Sequence, residues 1–145
     1  MTTLSDLDLL ALTLWGEARG EPVEGLCAVA NVIRNRVRRG AWGTTYAAVV
    51  RAPQQFSCWD RAGGVKNFTQ LQTLTDAVQH GDVPDDPVLR TCYWIAEGAL
   101  RGVLPDNTGG SCHYHATIIP IFPRWARGVP AQAIIGAHTF YAGIA

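Results

Sequence analysis

The sequence contains no Cys-x-x-Cys pair, no glycine-rich phosphate loop, no Gly-x-Ser-x-Gly elbow and no apolar run of membrane-spanning length. Those absences argue against a zinc ribbon, a phosphate-cradling nucleotide site, an α/β-hydrolase serine and stable membrane insertion. Net charge is lacking too. Twelve basic residues balance twelve acidic ones, so nothing global points to nucleic acid. Met1 to Asp6 shows no basic segment followed by a hydrophobic one, and therefore no classical signal peptide. The expectation is a protein that acts inside the cell or is delivered by another system. No internal repeat, low-complexity tract or linker divides the chain. With 145 residues, 48% of them hydrophobic, residues 1–145 are expected to form one soluble domain with a real core.

What is present begins with Ser5–Arg39. Ser5 with Asp8 three residues on is a capping-box-like start, and Leu4, Leu7, Ala11, Leu14 and Ala18 follow at helical spacing, which predicts a helix over Asp6–Ala18. A second helix is expected from Pro22 to about Arg38, with Val23, Leu26, Cys27, Ala30, Ile33 and Val37 on one face and Gly40 as its stop. A short helix capped by Thr44 or Thr45 should reach Arg51, Phe68–His80 should form another, and Asp85-Asp86-Pro87 should open one that ends at Gly102. Ser111–Ile119 and Ala133–Tyr141 are rich in β-formers. The fold class expected is therefore α+β, mainly helical, with a small C-terminal antiparallel β element.

Glu17 falls in the last turn of the first helix beside the apolar stripe. The negative end of the helix dipole and the poor hydration there both disfavour its anion, which is the condition a general acid requires near neutral pH. A structural role weighs about equally on this local evidence. Glu21 and Glu24 sit at the positive end of the next helix, where anions are favoured, and read as dipole compensation. Arg34, Arg36, Arg38 and Arg39 read as ordinary cations at a helix C-terminus, with an anionic polymer as the alternative partner. Glu97 reads as surface.

Gln54–Asp60 mixes amides with aromatics, a composition suited to stacking on sugar rings while bonding their hydroxyls; the alternative is that Phe56 and Trp59 plug the core. His113 and His115 share one side of the predicted strand, but no third ligand stands at a diagnostic distance, so no metal or other cofactor is expected. Cys27, Cys58, Cys92 and Cys112 permit three pairings and carry no catalytic signature.

Leu12-Thr13-Leu14-Trp15-Gly16-Glu17-Ala18-Arg19-Gly20-Glu21-Pro22, Glu24-Gly25 and Ala28-Val29-Ala30-Asn31-Val32-Ile33-Arg34-Asn35-Arg36-Val37 closely resemble the cell-wall hydrolase family of the spore-cortex-lytic enzymes. Gln55-Phe56-Ser57, Gly109-Gly110 to His115, Trp125-Ala126 and Ile135-Gly136-Ala137-His138-Thr139-Phe140-Tyr141 extend the likeness over nearly the whole chain. The resemblance implies a lysozyme-like domain cutting the MurNAc-GlcNAc β-1,4 bond of peptidoglycan glycan strands, often as a lytic transglycosylase, with Glu17 as general acid. It also implies that Gln55, Phe56, His113, Tyr114 and His115 line the glycan cleft. Where many relatives carry Tyr-Asn-Pro, this chain has His115-Ala116-Thr117, so that polar contact must come from His115 or Thr117 or be absent. A bare, monomeric phage-type lysis enzyme, held in the cytoplasm until released to the wall, is the expected setting. The alternatives are a muramidase using Asp60 or Glu21 as second carboxylate, a metal- or cysteine-dependent amidase or peptidase, and a noncatalytic glycan-binding domain.

Overall fold

A computed structural model describes residues 2–144 of the chain. Five helices come first: α1 (Asp6–Ala18), α2 (Val23–Arg39), α3 (Tyr46–Val50), α4 (Val65–Gln79) and α5 (Pro87–Leu100). Three short strands follow, β1 (His113–Ala116), β2 (Ala133–Ile135) and β3 (His138–Tyr141). The capping box at the start of α1 is formed in full, with the Ser5 hydroxyl accepting from the Asp8 N–H and the Asp8 carboxylate accepting from the Ser5 N–H.

Helix α1 is the axis of the molecule. The apolar stripe read from the sequence understates its burial, because Leu10 and Leu12 are buried as completely as Leu14, and Leu9 nearly so. Helices α2, α3, α4 and α5 all pack against it, so it has almost no wet face, and each fully buried leucine contributes roughly 1.5–3 kcal/mol. The buried Thr13 hydroxyl is satisfied by donating to the Leu9 carbonyl, 2.7 Å away, and it accepts from Trp59 Nε1 at 3.0 Å. Trp59 is thus half-buried packing.

Helix α2 begins one residue later than expected, because Pro22 is its N-cap. It buries two faces rather than one. Leu26, Val29, Ala30 and Ile33 join the helical core, while Ala28 and Val32 meet Phe140 of the sheet. Val23, assigned to the inner face from periodicity, is exposed. Helix α4 begins at Val65, three residues ahead of the expected Phe68. No side chain caps it; its first turn is held instead by Asn67, which donates to the Gly16 carbonyl at 3.0 Å and accepts from Arg19 at 2.6 Å. A tertiary tie of this kind leaves no local signal. Glu97 is at the surface, paired with Arg101.

The sheet is antiparallel with β3 in the centre, order β1-β3-β2. His113 faces Tyr141 and Ala116 faces His138 across one ladder, and Ile135 faces His138 across the other. Only His113–Ala116 of the extended-looking 111–119 stretch is strand, and the β-rich 133–141 stretch forms a hairpin turning at Gly136-Ala137. Its position is fixed from α2: buried Asn31 donates to Pro105 O and Asn107 Oδ1, and Asn35 donates to Asp106 and to Ser111 O. Burial alone would raise the Asp106 pKa, but donors from Thr108, Asn35 and Gly110 outweigh it and hold the carboxyl below its ordinary value.

Gly16 makes the tightest approach in the core. A Cβ built there would lie 2.7 Å from Cys58 Cβ and 2.8 Å from its sulfur. Gly16→Ala is therefore expected to cost about 1–3 kcal/mol as overpacking, whereas Gly20→Ala, with nothing within 4 Å, should stay within about 0.5 kcal/mol. Denaturant unfolding of the two variants beside wild type checks this, and equal losses would show that the Gly16 contact is not limiting.

Candidate active site

Glu17, Arg36, Gln54, Gln55, Ser57, His113, Tyr114, Trp125 and His138 line one open cleft of about 340 Å³. Helix α1 supplies the acid and α2 the cation. The 54–57 loop forms one wall, and the sheet with the Arg124–Ala126 turn forms the other. A larger, shallower hollow lies beside Leu7, Tyr93 and Trp94. Its only acid, Glu97, is exposed, so chemistry rather than size selects the smaller cleft.

Burial raises the Glu17 pKa from 4.5 to about 7, against a smaller opposing effect from the Ser57 backbone N–H aimed at it. Close packing of Gly16 on Cys58 brings that backbone over the acid. The carboxyl is thereby held partly protonated near neutral pH, the state in which it can give up a proton and then accept one. Above it, Gln54 has φ of +63°, the only non-glycine among the described residues in the left-handed region, and such outliers gather at binding sites.

Arg36 is the residue that the sequence reading assigned to a bland role and the structure moves into the site. It is 6% exposed, donating from Nε to Cys112 O at 2.7 Å and from Nη1 to Gln55 Oε1 at 3.0 Å. Its guanidinium lies over the Trp42 ring at 4.3 Å. Arg34 is buried as well, bonded to Asn31 Oδ1 at 2.5 Å. No local signal marks it, because only folding brings Trp42 and Gln55 to it.

Of the five residues expected to line the cleft besides Glu17, three do so: Gln55, His113 and Tyr114. Two corrections follow. Phe56 is 3% exposed and belongs to the core, where it braces Arg36 from 5.3 Å; it leaves no face free for a sugar. His115 lies off the cleft, with Nε2 2.8 Å from the Tyr141 hydroxyl and its ring against Phe122. Thr117 pairs its hydroxyl with Thr139, so neither residue offered in place of the missing amide is free to replace it.

His113 is wedged between Trp42 and Trp125. Burial first, and then Arg36 and Arg39, lower its pKa to about 4, so it is a neutral ring at physiological pH. Among the described residues, no three His, Cys, Asp or Glu side chains gather as a metal would require. The four cysteines are free thiols. Burial pushes Cys58 well above its ordinary range, with Glu17 adding to it, and Cys92 up to about 12, the opposite of what an activated nucleophile needs.

The two candidate second carboxylates separate clearly. Asp60 is exposed and caps its own turn at Ala62 N–H. Glu21 is no simple dipole partner: its side chain is 12% exposed, and its Oε1 accepts from Ala137 N–H at 2.9 Å and lies 2.8 Å from His138 Nδ1. Gly136 permits that contact, since it has φ of +57° and a Cβ there would sit 2.7 Å from Glu21 Oε1. Glu24 remains exposed.

Fold and site together define a lysozyme-like domain, mainly helical with a small sheet, that holds a largely buried carboxyl of raised pKa at an open cleft. The chain belongs to the cell wall hydrolase family, whose sequence model matches residues 20–141; the match begins just beyond Glu17. The spore cortex-lytic enzyme of Bacillus cereus is 34% identical over 91 residues, covering 63% of this chain and 34% of that protein. Its counterpart in Bacillus subtilis is 43% identical over 101 residues, covering 63% and 32%. The chain thus spans about a third of the length of these curated relatives. Two solved structures share the fold. The catalytic domain of the germination-specific lytic transglycosylase SleB from Bacillus anthracis superposes with a TM-score of 0.65 at 26% identity, covering 97% of both chains. The catalytic domain of Bacillus cereus SleB gives 0.67 at 27%, covering 98% of this chain and 94% of that one.

The raised Glu17 pKa is also a statement about stability. Between 4.5 and about 7 the folded state holds a proton that the unfolded chain has lost, so stability falls as pH rises through this window and the deficit is complete above it, on the order of 3 kcal/mol. Glu17→Gln removes the deficit. It is expected to raise the melting temperature by several degrees at pH 8 and hardly at all at pH 4, and an equal change at both would contradict the burial account.

Proposed function

We propose that this domain cleaves the β-1,4 bond between N-acetylmuramic acid and N-acetylglucosamine in peptidoglycan by lytic transglycosylation, with Glu17 as the acid. The observation that carries the reading is the position and titration of Glu17, a carboxyl raised to about 7 in a cleft that opens to solvent. The relatives supply the substrate class, since SleB of Bacillus anthracis is described as a lytic transglycosylase.

In this reading Glu17 protonates the glycosidic oxygen while the sugar flattens towards an oxocarbenium-like state. The C6 hydroxyl of the same sugar then closes on the anomeric carbon and gives a 1,6-anhydro product. A glycosidase that uses water normally needs a second carboxylate facing the bond. Asp60 is outside the cleft and the Glu21 oxygen near the cleft is taken by Ala137 and His138, which favours the intramolecular hydroxyl. Arg36 and Gln55 offer hydrogen bonds to the sugar's acetamido or lactyl oxygens, and Trp125 a flat apolar wall. The working form is a monomer, and the place of action is the wall.

Turnover is expected to fall as pH rises through about 7, because Glu17 must be protonated to act. Mass spectrometry of the soluble products from purified peptidoglycan should show anhydromuramoyl ends with wild type and at least a hundredfold less with Glu17→Gln. Reducing muramic ends would mean hydrolysis instead, and equal release by the variant would remove Glu17 from the mechanism.

A further inference from the structure

The Glu21–His138 pair is a piece of chemistry that the single-acid mechanism leaves unused. Glu21 stands in the turn between α1 and α2, His138 opens β3, and the two are brought together across 117 positions of sequence. Both side chains are well buried, 12% and 16% exposed, yet His138 shares the cleft with Glu17. Its two ring nitrogens have different surroundings.

The proton can be placed from the geometry. Glu21 Oε1 accepts the Ala137 N–H, so it is an acceptor, and the group 2.8 Å away at His138 Nδ1 must be the donor. In the neutral ring Nε2 then carries the lone pair. No described residue bonds to that nitrogen and it is not sealed from solvent, and His138 is one of the residues that line the cleft. The ring is further fixed by Tyr114, edge-on at 5.1 Å, and by Phe140. The charged and titratable groups around it are Glu21, Tyr114 and, lining the same cleft, Glu17, Arg36 and His113.

We propose that His138 is a second proton-handling residue of this site, held in one tautomer by Glu21 and acting through Nε2 as the base towards the attacking sugar hydroxyl. This rests on the transglycosylase reading of the cleft. As the bond from C1 to the leaving oxygen breaks, Glu17 gives its proton to that oxygen; as the bond from O6 to C1 forms, the O6 proton passes to Nε2. The site is left with a Glu17 carboxylate and an imidazolium paired with Glu21. Transfer of one proton from the imidazolium to Glu17, through cleft water, restores both. Nothing is oxidised or reduced. Glu17 and His138 would therefore divide between them the acid and base roles that a lone carboxyl performs in turn.

The test compares wild type, Glu17→Gln and His138→Gln on purified peptidoglycan, with product ends read by mass spectrometry and folding by thermal melting. His138→Gln is expected to release anhydromuramoyl products at least a hundredfold more slowly than wild type. Release by His138→Gln within threefold of wild type overturns the His138 assignment and leaves Glu17 standing. Reducing ends from wild type overturn the transglycosylase reading, and with it the hydroxyl assigned to His138. A second measurement needs no variant to fold: ¹⁵N spectra of histidine-labelled wild type at the pH of fastest turnover should show His138 with its proton on Nδ1 and none on Nε2. A hydrogen found on Nε2 there overturns the proposal.

Discussion

The contact between Gly16 and Cys58 is the constraint on which the site rests. It lets the Ser57–Trp59 turn lie directly on the last turns of α1, with Cys58 packed on the helix backbone and Trp59 tied to Thr13. The same approach strips water from the neighbouring Glu17 and aims the Ser57 N–H at its carboxyl. Desolvation exceeds that hydrogen bond, and the balance sets the acid near neutrality instead of leaving it an ordinary anion. Packing at one residue is thus converted into reactivity at the next.

Helix α2 carries the second half of the arrangement because it serves two cores at once. Its leucine and isoleucine side packs on α1, and Ala28 and Val32 receive Phe140 from the sheet. Small residues on the sheet side allow the close approach. Arg36 leaves the helix between these two surfaces, and burying its charge is tolerable only because a carbonyl, an amide and the Trp42 face surround it. A cation so held cannot follow a substrate about; it presents a fixed edge to the cleft.

What could be read from the chain alone was whatever is encoded locally. The ends of α1 follow from a capping box and a helix-ending glycine-rich break, and the unusual position of Glu17 follows from its spacing to Leu10 and Leu14. The helical content, the small C-terminal sheet and the family were legible for the same reason, since periodicity and a long contiguous motif are local properties. Arg36, Phe56 and the Glu21–His138 pair were not. Each owes its role to partners that are distant in sequence, and an arginine in the last turns of a helix or a glutamate just ahead of one looks alike whether water or a protein cleft lies beyond it. The early start of α4 was hidden in the same way, because Asn67 is held by α1 rather than by a cap of its own.

The docking of the β2–β3 hairpin on Glu21 has one more implication, for the order in which the molecule becomes competent. The five helices form a continuous core from buried residues that all precede the sheet. The wall of the cleft formed by β1, the 124–126 turn and His138 comes from residues beyond α5, and its tie to Glu21 spans 117 positions. A nascent chain that has emerged only as far as α5 therefore owns its acid but has no groove in which to use it. The reactive arrangement is complete only once the sheet has been laid against helices that already hold the acid.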